Sequence, residues 1–196
     1  MTRHAQTIPG IGTAGPVLYE DPWVTVDQVP AHTASGTEYL HRRIWSSGGL
    51  GSIIVPVTQF RGLAHIGMVA QPRPAISLPS SLEFPRGRTI DLESGEAVRE
   101  LAEETGLDVS PDGMRLLGVL HPDTGVLATT VAVWSVAVPW SDAMATSGRV
   151  EEESGAVVEW LPAGGWLGMV FSGRITCGMT LAAYTLGLSH GIFTPR

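Results

Sequence analysis

Apolar residues along this chain fall mostly into short runs of strand length, interrupted once by a clear helical period. Alternation through 17–29 and 38–45 predicts two strands with one face covered. The nearly continuous apolar runs at 51–57 and 63–70 predict core strands covered on both faces, joined by a turn at Phe60-Arg61-Gly62. Residues 72–88 are rich in proline and serine and predict a long loop. From Ser94 the spacing changes. At about 100° per residue, Ala97, Val98, Leu101, Ala102 and Thr105 share one side of a helix over 94–105, and Glu96, Glu100, Glu103 and Glu104 share the other. Ser94 reads as its N-cap, Glu96 sits in the first turn where the helix dipole favours an acid, and Gly106 follows the last turn. Further strands are predicted near 114–120 and 126–139, then a loop over 140–155, a strand near 156–161 and a helix near 176–188. Strand runs mixed with two helices suit an α+β chain built as an α/β/α sandwich.

Length and composition narrow the class. A chain of 196 residues with 43% apolar and 16% charged residues is read as one folded domain with a sizeable core. Residues 1–15 are polar and glycine-rich, which predicts a flexible N-terminal arm without a signal-peptide run. No stretch has the length and apolarity of a membrane span, so a cytoplasmic protein is expected. The formal charge of −7, with every one of the 12 positive side chains an arginine, offers no footprint for nucleic acid or anionic lipid. A polyanionic substrate would have to be met by local arginines and by metal. Cys177 is the sole cysteine, excludes an intrachain disulfide and reads as a core thiol.

The chemistry is concentrated in the helix. Glu100, Glu103 and Glu104 stand at i, i+3 and i+4, stacked over one turn, where like charges repel by a few tenths of a kcal/mol per pair, roughly. A cation neutralises such a cluster, and carboxylate oxygens are what hard divalent ions prefer.

Gly87, Glu93, Arg99-Glu100-Leu101, Glu103-Glu104 and Gly106-Leu107 together resemble the signature box of the Nudix hydrolases, with one departure: five residues rather than seven separate Glu93 from Arg99. Gln71-Pro72-Arg73, Glu83-Phe84-Pro85-Arg86-Gly87 and His121-Pro122-Asp123 are similar in order to the ADP-ribose pyrophosphatase-like branch of that superfamily. The resemblance implies a Nudix fold, with a mixed sheet and the box as loop-helix-loop in a hydrolase domain over 51–190, and N-terminal strands at 16–50 that make a homodimer. It implies magnesium, with manganese as an alternative, held by Glu100 and Glu104, by Glu103 as a further ligand and by the backbone carbonyl of Arg86. Arg99 would orient these acids, paired with Glu93 as in the family or, given the short spacer, with Glu96. Arg73, Glu83 and the Arg86 side chain would meet substrate. The general base would come from Glu151, Glu152 or Glu153, with Glu153 preferred. The implied reaction cleaves the pyrophosphate of a small-molecule nucleoside diphosphate derivative, ADP-ribose or another nucleotide sugar, giving a nucleoside monophosphate and a sugar phosphate. The alternatives are the same chemistry on a dinucleotide, or a Nudix domain that binds such a ligand without turning it over.

Overall fold

Strand β4 (Leu50–Phe60) is apolar at successive positions because both of its faces are covered. In the computed structural model, which describes residues 16–46, 48–151 and 154–194, Ile53, Val55 and Val57 pack on one side with Trp166, Ile175 and Tyr184. Ile54 packs on the other side with Ala97, Leu101, Trp134 and Val158. The arm expected over residues 1–15 lies outside the described residues.

Strand β5 (Leu63–Arg73) returns antiparallel to β4 through Arg61 and Gly62, at φ 50° and 76°. Two successive left-handed residues make the turn whose twist matches a hairpin, and glycine adopts that conformation freely. The remaining strands of the larger sheet are β6 (Leu78–Glu83), β7 (Arg86–Arg88), β8 (Met114–Leu120), β9 (Thr130–Ala137) and β10 (Val157–Pro162). Their order is β10-β5-β4-β9-β8, with β6 added to β5 and β7 to β4. β4 and β9 run parallel and the other pairs antiparallel, so the sheet is mixed. Helix α1 (Ser94–Thr105) lies on the Ile54 face, with α2 (Trp140–Thr146) contributing Ala143 there. Helices α3 (Trp166–Phe171) and α4 (Gly178–Ser189) cover the opposite face through Trp166, Met169, Ala183 and Tyr184. This is the α/β/α layering that the pattern of runs predicts.

Contacts divide the chain into two units: one takes the chain up to Gly49 together with Asp123–Thr129, the other takes the rest. The smaller unit is a meander of β1 (Val17–Glu20), β2 (Val24–His32) and β3 (Glu38–Ser46). Its tightest internal link is a buried ion pair, Arg43 to Asp27, with Nε–Oδ1 at 2.9 Å and Nη2–Oδ2 at 2.6 Å.

Several local expectations are corrected. The single strand expected at 17–29 is two, because Asp21 Oδ1 accepts from the amides of Trp23 and Val24, each at 2.7 Å, and closes a turn there. The strand expected from 126 begins at Thr130, since Ile44 exchanges backbone hydrogen bonds with Val126 and Ala128 at 2.9 Å. The loop expected over 72–88 contains β6 and β7. Its prolines are tolerated because Pro72 falls at a shift of register in β5, Pro79 lies on a strand paired on one side only, and Pro85 accepts from the Ile54 amide at 2.9 Å. Residues 140–146, expected as loop, form α2, and α3 follows a Gly-Gly pair that conceals it. Ser94 lies inside α1; Glu93, in extended conformation, occupies the N-cap position and no side chain caps it. Cys177 is half-buried at the N-cap position of α4 rather than within the core.

Leu101 has no exposed surface and anchors α1 to the sheet. Leu101→Ala is expected to cost about 3 kcal/mol, from lost burial plus the cavity left behind, measurable as a lower urea midpoint at unchanged slope.

Candidate active site

Strand β6 and helix α1 bring two glutamates out of water and a third partly so. Glu83, at the end of β6, is 1% exposed. Two arginines neutralise it. Arg73 donates Nε to Oε1 at 2.7 Å and Nη2 to Oε2, and Arg86 donates Nε to Oε2 at 2.9 Å. Pro72 has no amide to give the ladder, and the register shift beside it carries Arg73. Burial alone would raise the Glu83 pKa. The hydrogen bonds and charges of Arg73 and Arg86 outweigh it and hold the carboxyl at about 2.

Three residues further on, Gly87 lets α1 approach β7 closely: a Cβ on it would stand 1.6 Å from Glu100 Oε2. No other residue type fits there without displacing that carboxylate. Glu100 is 7% exposed and its pKa is raised, first by burial, with Glu103 and Glu96 adding repulsion against the pull of Arg99. Glu104 reaches the same strand from the next turn, where its Oε2 accepts the Arg86 amide at 3.0 Å. Burial pushes Glu104 to about 7; the Arg86 amide and charge oppose that shift, and Glu100 adds to it. Hydrogen bonds from Ile54 to Pro85 and from Thr89 to Leu50 fix the alternation of the β4–β7 pair. By that alternation Arg86 turns both its amide and its carbonyl away from β4, toward Glu104.

Arg99 ties the helix acids together. Its Nη2 donates to Glu100 Oε1 at 2.6 Å, Glu96 Oε2 at 3.1 Å and the Arg88 carbonyl at 3.2 Å, while Nη1 donates to both oxygens of Glu103 at 3.0 Å. Glu96 also accepts the Ile90 amide at 3.2 Å, which closes the loop onto the first turn. Of the two partners expected for Arg99 it is Glu96 that pairs with it; Glu93 is exposed and makes no ion pair with Arg99. Six residues apart, the two lie about 240° around the helix axis, whereas Glu96 at i−3 lies on the same face.

Of the acids at 151–153, Glu151 accepts from the amide and hydroxyl of Ser154, each at 2.7 Å. Glu152 and Glu153 lie outside the described residues. Among the described residues no three His, Cys, Asp or Glu side chains gather closely enough to enclose a metal by themselves. Two carboxylates, Glu100 and Glu104, with the Arg86 carbonyl still suit a hard ion that keeps several waters and takes its other ligands from a substrate's phosphates. Reading the sequence missed that Arg86 serves twice, through its side chain on Glu83 and its amide on Glu104. It also missed Ser52, whose hydroxyl is buried without a partner on β4 opposite Gly87. The only sequence signal for Ser52 is a polar residue inside an apolar run.

No protein-family model matches this chain, and no curated protein does. Among solved structures 163 chains match. One, titled "Crystal structure of ADP compounds hydrolase", is 14% identical, covers 90% of this chain and 94% of its own, and has a TM-score of 0.63. The mixed sheet between helical layers, with α1 against β7, is the Nudix fold.

Two opposite pH signatures are expected in the metal-free protein. Glu83, held at about 2 against an ordinary 4.5, stabilises the fold above pH 4.5, and that stability is lost as pH falls from 4.5 toward 2. Glu104, at about 7, costs stability as pH rises from 4.5 to 7. Glu104→Gln is expected to remove a loss on the order of 2 kcal/mol between pH 5 and pH 8, read from urea melts of both proteins with chelator present.

Proposed function

We propose that this chain is a divalent-metal-dependent Nudix-type hydrolase that cleaves the pyrophosphate of a nucleoside diphosphate derivative, ADP-ribose or another nucleotide sugar foremost. The observation that carries the reading is the pair Glu100, buried, and Glu104, half-buried one turn further on, both with raised proton affinity, beside Arg86, which with Arg73 keeps N–H groups not used on Glu83. Burying two carboxylates together is unfavourable unless a cation compensates them. The likeness in fold to a solved hydrolase of ADP compounds supports the same class of reaction.

In this reading Glu100, Glu104 and the Arg86 carbonyl hold magnesium or manganese, with Glu103 as a further ligand once Arg99 releases it. The bound ion supplies charge neutralisation of the diphosphate and a more acidic water. Arg99 orients the acids, and its three carboxylate contacts keep Glu100 turned toward Gly87. Arg73 uses two of its five N–H donors on Glu83 and Arg86 uses one, so both can still donate to phosphate oxygens while Glu83 fixes their spacing. A glutamate of the 151–153 run serves as general base. The products are a nucleoside monophosphate and a sugar phosphate.

The reading extends to a cytoplasmic homodimer made through the smaller unit. That unit exposes Leu18, Tyr19, Trp23, Tyr39 and Leu40 at 46–64% of their surface, an apolar and aromatic set typical of interface cores. No helix among the described residues is long and apolar enough to cross a membrane.

The displaced Glu93 favours a second reading, in which the site binds such a ligand without turnover. Incubation with ADP-ribose, nucleotide sugars and dinucleotides, with and without Mg²⁺, separates the two. Release of nucleoside monophosphate only with metal is expected, and tight binding without release across the panel would establish the second reading. Glu100→Gln and Glu104→Gln should each lower kcat at least about 10²-fold. Among Glu151→Gln, Glu152→Gln and Glu153→Gln, one should lose about 10²–10⁴-fold; normal turnover in all three removes the base from this run. Trp23→Asp should convert a dimer to a monomer in sedimentation velocity.

A further inference from the structure

Two buried hydroxyls beneath α1 have no hydrogen-bond partner: Ser52 Oγ, in a residue 1% exposed, and Thr89 Oγ1, in a residue 5% exposed. They are close neighbours. Ser52 pairs directly with Gly87 across β4 and β7, and the pairing continues as the Thr89 amide donates to the Leu50 carbonyl at 3.2 Å. Side chains alternate along a strand, so Ser52 and Gly87 share the face of Ile54, the face against which α1 packs, and Thr89, the residue after β7, continues that alternation through its amide bond to Leu50. The atom lying over Gly87 on that face is Glu100 Oε2. Glu100 Oε1 is held by Arg99, but among the described residues no group donates to Oε2.

An unmade buried hydrogen bond costs about 1–3 kcal/mol, and two of them side by side with a carboxylate oxygen need a common partner. A water satisfies all three: it donates to Oε2 and can exchange hydrogen bonds with both hydroxyls, within the two to four partners that buried waters typically have. We propose that Ser52 and Thr89 hold one buried water against Glu100 Oε2, and that this water, opposite Arg99, sets the carboxylate's orientation toward the ion. Ser52 and Thr89 are then positioning residues, acting through Glu100. The second half of the proposal rests on the metal reading given above; the first half does not.

The two halves are tested separately. A crystal structure of the metal-free wild-type protein should show a water within about 3.2 Å of Ser52 Oγ and Glu100 Oε2, and a dry contact there overturns the proposal. Mn²⁺ titrations followed by electron paramagnetic resonance then compare wild type with Ser52→Ala and Thr89→Val. Each variant should bind Mn²⁺ about 10-fold more weakly, while its metal-free urea midpoint falls by no more than the loss of one water-mediated hydrogen bond allows. Unchanged Mn²⁺ affinity with a lower midpoint marks a purely structural role and overturns the positioning. A wild type that shows the water but binds no Mn²⁺ ends the metal reading and the positioning with it, and leaves the water standing.

Discussion

Packing α1 against β7 with carboxylates in the seam is the constraint around which this site is arranged. A helix that buries only apolar residues could sit at any convenient distance from the sheet. Here Glu100 lies directly over Gly87, and the helix can come that near only because position 87 lacks a side chain. The apolar residues Ala97 and Leu101 supply the attraction that holds the helix down, and Glu100 and Glu104 bear the cost of being carried in with them.

The two buried acids and the half-buried Glu104 meet that cost in different ways. Glu83 is matched by two guanidiniums and stays charged well below neutral pH. Glu100 shares Arg99 with Glu96 and Glu103, so its compensation is partial. Glu104 has one backbone amide and titrates near 7. Compensation therefore declines from β6 to the last turn of α1, and the least satisfied pair, Glu100 and Glu104, is also the pair the box pattern marks for a metal. The arrangement makes sense if the missing positive charge arrives from outside the protein.

The parts legible in the sequence were those written in period or in fixed spacing. The bounds of α1, the two-faced core strands β4 and β5, the Arg61-Gly62 turn and the grouping of Glu96, Glu100, Glu103 and Glu104 all follow from residue patterns over ten or more positions. What failed was short or contextual. Strands β6 and β7 lie among prolines whose missing amides happen to fall at an edge and at a shift of register. Helix α3 has only six residues, and a Gly-Gly pair precedes it. Of the two partners expected for Arg99, Glu93 rested on family spacing and lies off its face, whereas Glu96 rested on helical spacing and pairs with it. Tertiary facts, such as how deeply Glu100 is buried, depend on Gly87 thirteen residues upstream and leave no local trace.

Arg86 shows how one residue joins the two halves of the site. Its guanidinium belongs to the Glu83 cluster and its amide to Glu104, so the strand residue that begins β7 couples the arginine pair to the acidic turn. In a protein of net charge −7, long-range attraction cannot gather an anionic substrate. For the anionic substrate proposed, recognition has to come from charges fixed at contact distance. Glu83 does that fixing: a buried acid makes two arginines rigid at small entropic cost, because each guanidinium is already ordered before any ligand arrives. The negative charge spent at Glu83 lowers the cluster from two positive charges to one, and what it returns is position. An anionic group brought to this face would meet guanidiniums already fixed in place by Glu83.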